Sequence, residues 1–161
     1  MKRKVLIVSL IILVLDQLSK IIVSSFLNYR ESIKVIYNFF NITYVYNEGA
    51  AWSILSGKRF LLILIALIGS YFIYKEIDKY KDNKRNIIGF GLLLGGISGN
   101  LLDRLFLGYV RDFLDFKIFG YDYPIFNIAD SAILIGLIII IIANIKGEEH
   151  GSSSRKKYKS R

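Results

Sequence analysis

The sequence has no cysteine, one proline and one histidine. Without thiols there are no disulfides, no thiolate nucleophile and no Cys-ligated metal. The lone His150 sits in a polar C-terminal tail. That argues against a zinc hydrolase, which is normally built on several His ligands, and against Ser-His chemistry. Any hydrolysis must therefore run on carboxylates, on Lys, or on Ser or Thr with Lys. Charge is scarce too: Asp, Glu, Lys and Arg make up 22% of the 161 residues, while 53% are hydrophobic and gather in long runs. Such runs would be insoluble in a water-facing fold, so the solvent is lipid. The length suits one domain.

Four apolar stretches can each cross a bilayer, which takes roughly 20 residues. They lie at about 5–27, 60–76, 87–107 and 126–146. The predicted fold class is an all-α membrane protein, with four transmembrane helices in one polytopic domain over 1–146. Residues 147–161 read as a solvated basic tail. An even number of spans puts both termini on one side. The N-terminus, the loop at 75–86 and the C-terminal end from Lys146 onward carry fourteen Lys and Arg, against seven in the segments facing the other way. The positive-inside rule makes the first set cytoplasmic. The net charge of +9 is then absorbed by anionic headgroups and does not call for nucleic acid. Lys2-Arg3-Lys4 before Val5–Leu15 has the outline of a secretory signal peptide. Asp16, Gln17 and Lys20 interrupt the apolar run, however, and the segment reads as a retained first helix.

Two segments face the extracytoplasmic side. The first, about 28–59, contains Ile36–Tyr46, rich in aromatic and β-branched residues, and reads as a short sheet at the membrane interface. The second, about 108–125, contains Gly108, Gly120 and Pro124 and reads as a constrained loop into the fourth helix. Asp115 and Asp122 are expected there as solvated residues.

Charged groups inside a span are costly and mark function by default. Asp16 and Lys20 stand one turn apart on the first helix, a spacing suited to an ion pair. Asn100, Asp103 and Arg104 occupy the outer end of the third helix, and Asn127, Asp130 and Ser131 the start of the fourth. Three helices thus bring polar groups to the same depth. Asp16 with Lys20 is equally a buried salt bridge fixing helix packing, and Asn100 and Arg104 are equally structural. Asp112 and Asp130 differ because each sits at a helix boundary facing the other across a reversing loop. Two such carboxylates in low dielectric tend to share one proton. One can then take a proton from water while the other donates to a carbonyl oxygen or a leaving amine. An ion or proton pathway through Asp16, Asp103 and Asp130 remains open on these grounds, although Ile133–Ile142 offers no polar route inward.

The same residues carry a family resemblance. The segments are Asp16-Gln17-Leu18-Ser19-Lys20, Asn47-Glu48-Gly49-Ala50-Ala51-Trp52, Gly99-Asn100-Leu101-Leu102-Asp103-Arg104-Leu105, Val110-Arg111-Asp112-Phe113 and Phe126-Asn127-Ile128-Ala129-Asp130-Ser131. In order and spacing the chain resembles the bacterial lipoprotein signal peptidases, or signal peptidase II, over nearly all of its length outside 147–161. The resemblance implies an intramembrane aspartic endopeptidase that cuts prolipoproteins on the amino side of a diacylglyceryl-modified cysteine, with no metal or other cofactor. It implies that Asp112 and Asp130 are the catalytic pair. Asn47, Gly49, Asn100, Arg104, Asn127 and Ala129 would shape the substrate site, and Asp16 and Lys20 would support it, with Asp103 orienting Arg104. The segment 28–57 would be an interfacial β-cradle. The implied partners are lipidated prolipoproteins and membrane lipids, and a monomer is expected. Arg111 stands where the family commonly has an apolar residue, and turned inward it would lower the pKa of Asp112. Gly49, Ala50 and Ala51 leave room for close backbone approach, and Trp52 suits the interface.

Overall fold

The computed structural model describes residues 1–49 and 54–148. Helices α1 (Lys2–Phe26), α2 (Arg59–Glu76, extended by a 3-10 turn at Ile77–Lys79), α3 (Lys84–Phe106) and α4 (Ile128–Ile145) are each long and apolar enough to span a membrane. Between them lie strands β1 (Ser32–Ile36), β2 (Phe40–Asn47), β3 (Val110–Ile118) and β4 (Tyr121–Asp122), in one antiparallel sheet of order β1-β2-β3-β4. The four helices and small sheet agree with the fold class read from the sequence.

α3 is the central helix, packing on α1, α2 and α4. Of its most apolar window 61% is buried, against 11% for α2. Its composition explains this: neighbouring glycines let two helices approach from opposite sides. A Cβ on Gly95 would meet the Ser9 carbonyl of α1 at 2.8 Å, and one on Gly96 would collide with the Ala129 carbonyl of α4. In lipid there is no hydrophobic drive to pair helices, so close packing of this kind supplies the cohesion. The outward faces carry Leu, Ile and Phe, such as Leu10, Leu64, Phe72 and Ile138, as contact with lipid requires.

Helix ends are tied rather than frayed. Asn83 caps α3, accepting from the Asn86 amide at 2.9 Å. At the other end of α3, Arg59 donates to the carbonyls of Arg104 (2.7 Å) and Leu105 (2.8 Å), placing a cation where the helix dipole is negative. At the end away from the sheet, the N-terminal amine and Lys4 pair with Asp82 at 3.4 and 3.1 Å, and Lys2 pairs with Asp78.

The constrained loop expected at 108–125 is instead largely strand. β3 pairs with β2 through Phe40↔Phe116, Asn41↔Asp115, Ile42↔Leu114, Val45↔Asp112, Tyr46↔Arg111 and Asn47↔Val110. The glycines and proline mark only its ends, while Val110–Ile118 is rich in Val, Phe, Leu and Ile, and its first four residues are buried on both faces. Asp115, expected in solvent, accepts hydrogen bonds from Thr43 (2.5 Å) and Asn41 (3.3 Å) of β2. Asp122 is exposed, 3.4 Å from Lys117. Between Ile42 and Val45 the register shifts by one residue, a β-bulge. A bulge re-aims side chains, and here it sets Asn47 on the same face as Asp112.

Candidate active site

The site forms where β3, the C-terminal end of α3 and the N-terminus of α4 meet. α4 begins with a capping box: the Asn127 side chain accepts from the Asp130 amide at 2.9 Å, and Asp130 Oδ2 accepts from the Asn127 amide at 3.2 Å. This reciprocal cap satisfies two amides that a helix start leaves unpaired. It also fixes Asp130 with its second oxygen, Oδ1, held by Asn100 Nδ2 at 2.7 Å.

Asp112 is buried on β3. Its Oδ1 accepts from Asn127 Nδ2 at 2.6 Å and its Oδ2 from Asn47 Nδ2 at 2.9 Å. Asn127 is therefore a bridge, its backbone bound to one aspartate and its amide group to the other. The same Nδ2 lies 3.2 Å from Asn100 Oδ1, which also accepts from Lys20 Nζ at 3.0 Å. Burial, and then the neighbouring charge of Asp130, push Asp112 up to about 7, against the hydrogen bonds from Asn47 and Asn127.

Lys20 is fully buried and paired with Asp16 at 2.8 Å. Asp16 accepts in turn from the Ala129 amide at 2.9 Å. It thus caps α4 from a different helix, and the Asp16 and Lys20 pair is both a packing element and part of the site. Gly99 is required beside it, since a Cβ there would strike the Asp16 carboxylate. Arg104 donates to the Gly49 carbonyl at 2.7 Å, and Gly49 donates to Asn47 Oδ1 at 2.9 Å. The charge of Arg104 interacts with those of Asp130, Asp112 and Asp103, and its buried Nε has no partner among the described residues.

A family model described as signal peptidase (SPase) II matches residues 8–146. The chain belongs to the signal peptidase II family. A lipoprotein signal peptidase of Staphylococcus haemolyticus (strain JCSC1435) is 46% identical over 144 residues, covering 88% of this chain and 90% of that protein. One from Staphylococcus aureus (strain bovine RF122 / ET3-1) is 42% identical over 142 residues, covering 88% and 87%. A bacterial membrane enzyme solved by the in meso method at 2.3 Å superposes with a TM-score of 0.81 at 41% identity, over 88% of this chain and 87% of that one. A second, at 1.9 Å, gives 0.78 at 41% identity, over 88% and 92%.

All eleven residues singled out from the sequence lie in or beside this one cluster. Two expectations about their neighbours need correcting. Asp103 does not orient Arg104: its hydrogen bonds come from Gln17 and Arg111, and Lys20 lies 3.5 Å away. Arg111 does not turn toward Asp112, because adjacent strand residues point to opposite faces; its guanidinium meets Asp103 and Gln17 instead. Gln17 was not singled out, although its place one residue from Asp16 inside a polar motif was the available signal. Ala50, Ala51 and Trp52 lie outside the described residues, as does the tail from 149 on.

Proposed function

We propose that the chain is an aspartic endopeptidase that removes signal peptides from lipidated prolipoproteins, cutting on the amino side of the diacylglyceryl cysteine. The observation that carries the reading is the bridging of Asp112 and Asp130 by Asn127 at the end of the bundle where the sheet lies. Asp112 has a pKa of about 7 and is substantially protonated at neutral pH, so it can act as the acid. Asp130, whose Oδ2 accepts from the Asn127 amide and whose Oδ1 accepts from Asn100 Nδ2, is assigned as the base. In this mechanism Asp130 takes a proton from water as the oxygen attacks the scissile carbonyl carbon, and Asp112 protonates the carbonyl oxygen. Collapse of the resulting diol, with proton transfer to the leaving nitrogen, breaks the C–N bond. Arg104, with donors to spare, holds a carbonyl or phosphate-like oxygen of the substrate. The acyl chains stay in lipid, which confines the scissile bond to the plane of the pair and supplies effective concentration.

The remaining elements of the proposal follow from this placement. The proposed working unit is a monomer, with both proposed catalytic aspartates on one chain. The site faces the extracytoplasmic side with both termini in the cytoplasm, and β1 and β2 form the cradle under the substrate. The test is cleavage of matched lipidated and unlipidated prolipoprotein peptides by the purified protein. Wild type should cut the lipidated peptide and cut the other far more slowly. Asp112→Asn and Asp130→Asn should each abolish cleavage, by a factor of roughly 10² or more, with helix content and thermal unfolding retained. Turnover near wild type in either variant would sink the mechanism. Equal rates on the two peptides would remove lipoprotein processing as its purpose.

A further inference from the structure

Arg111 lies on the far face of β3 from Asp112, yet it is buried and heavily bonded. Its backbone amide and Nε donate to Asp103 Oδ2 at 3.0 and 3.2 Å, and Nη2 donates to Asp103 Oδ1 at 2.7 Å and to Gln17 Oε1 at 2.9 Å. Asp103 also lies 3.5 Å from Lys20, which pairs with Asp16 at 2.8 Å, and Asp16 holds the Ala129 amide. Four alternating charges therefore run through the protein interior, from β3 through α3 and α1 to the start of α4. The two ends of this chain land on Arg111 and Ala129, the residues immediately before the two aspartates.

We infer that Arg111 is a positioning residue, anchoring a neutral buried charge chain that sets the spacing and charge balance of the aspartate pair. The inference rests on the reading of Asp112 and Asp130 as catalytic. A bidentate guanidinium–carboxylate pair fixes orientation as well as distance, so it locks β3 in register with α3. The four charges sum to zero, and removing one from a low-dielectric interior leaves its partner uncompensated. The charged and titratable groups around Arg111 and the pair are Asp16 and Lys20 from α1, Asp103 and Arg104 from α3, Tyr44 and Tyr46 from β2, Tyr109 before β3, Asp112 on β3, and Asp130 on α4. Burial raises Tyr44 and Tyr109 further above neutrality, so neither ring adds charge at working pH. Loss of Arg111 then leaves a net negative charge beside two carboxylates.

Arg111→Met, assayed as the full purified chain on a lipidated prolipoprotein peptide, should lower kcat roughly 10- to 100-fold. KM should stay within about threefold, since the side chain is engaged by Asp103 and Gln17 on the face of β3 away from Asp112. The pH–rate profile should move upward by about one unit, because added negative charge disfavours ionisation of the pair. Arg111→Lys keeps the charge but not the fork, so its profile should stay at the wild-type pH while kcat falls. If the Met variant does not fold, the Lys variant carries the test alone. Wild-type kcat in the Lys variant, or an unmoved profile in a folded Met variant, would overturn the inference. Asp112→Asn and Asp130→Asn run alongside separate the two layers. Activity in either of those variants overturns the catalytic reading, whereas two dead aspartate variants beside unaffected Arg111 variants overturn positioning alone.

Discussion

Asn47 shows how a single amide sets the chemistry of a carboxyl group. Its Nδ2 donates to Asp112 Oδ2 at 2.9 Å while its Oδ1 holds the Gly49 amide at 2.9 Å. The bond to Asp112 favours the ionised carboxylate and offsets part of the rise due to burial. Asn47→Ala removes that offset, so the pKa of Asp112 should climb beyond about 7. The alkaline limb of the pH–rate profile, where the proton leaves the acid, should then move to higher pH. A hydrogen bond to a charged group is worth about 1.5–3 kcal/mol, so the shift should be on the order of one pH unit. The kcat profile on a lipidated peptide checks it, and an alkaline limb unmoved or lowered would contradict the role given to Asn47. At this scale the aspartates, Asn47 and Arg104 were legible from motif order. The bridging by Asn127 was not, because it depends on a hydrogen bond between elements fifteen residues apart in sequence.

The helices are held by contacts that a sequence states only as composition. Gly96 faces the Ala129 carbonyl and the Ile133 side chain, 2.8 Å from where its Cβ would lie. The Ala129 carbonyl is backbone in the first turn of α4, which is capped by Asn127 and by Asp16, so it cannot yield as a flexible side chain would. Gly96→Ala should push α4 outward, destabilising the fold by about 1–3 kcal/mol and displacing Asp130 from Asn100. Thermal unfolding in detergent and turnover on a lipidated peptide should both fall. A variant with wild-type stability would mean that α3 and α4 have slack at this crossing. The glycines of α3 were visible as letters, but which partner each one admits depends on helix rotation. The strand β3 was missed for a related reason. Its alternation is short and carries Asp112 and Asp115, and strand propensity is decided by neighbours that fold onto it.

At the scale of the molecule, the site lies at the sheet end of the bundle, while the N-terminal amine paired with Asp82 and Lys2 paired with Asp78 lie at the other. With fourteen Lys and Arg in the N-terminus, in 75–86 and from Lys146 onward, against seven opposite, the sheet end should face outward. A reporter fused after Lys81 should behave as cytoplasmic, and one inserted near Lys34 as external. Reversed labelling would put the aspartates on the cytoplasmic side, away from exported prolipoproteins.

Span number, the basic asymmetry and the lack of any cysteine were determined by the sequence alone. Hydropathy and charge are summed along a chain, and a bilayer reads them in that order. The pairing of Arg111 with Asp103 rather than Asp112 and the capping of α4 by Asp16 were decided only in three dimensions. So was the bulge that brings Asn47 to the face of Asp112. Each depends on the rotation or register of one element against another. Those are settled by close packing and by the need to satisfy every buried charge at once, a condition that no local stretch of residues expresses.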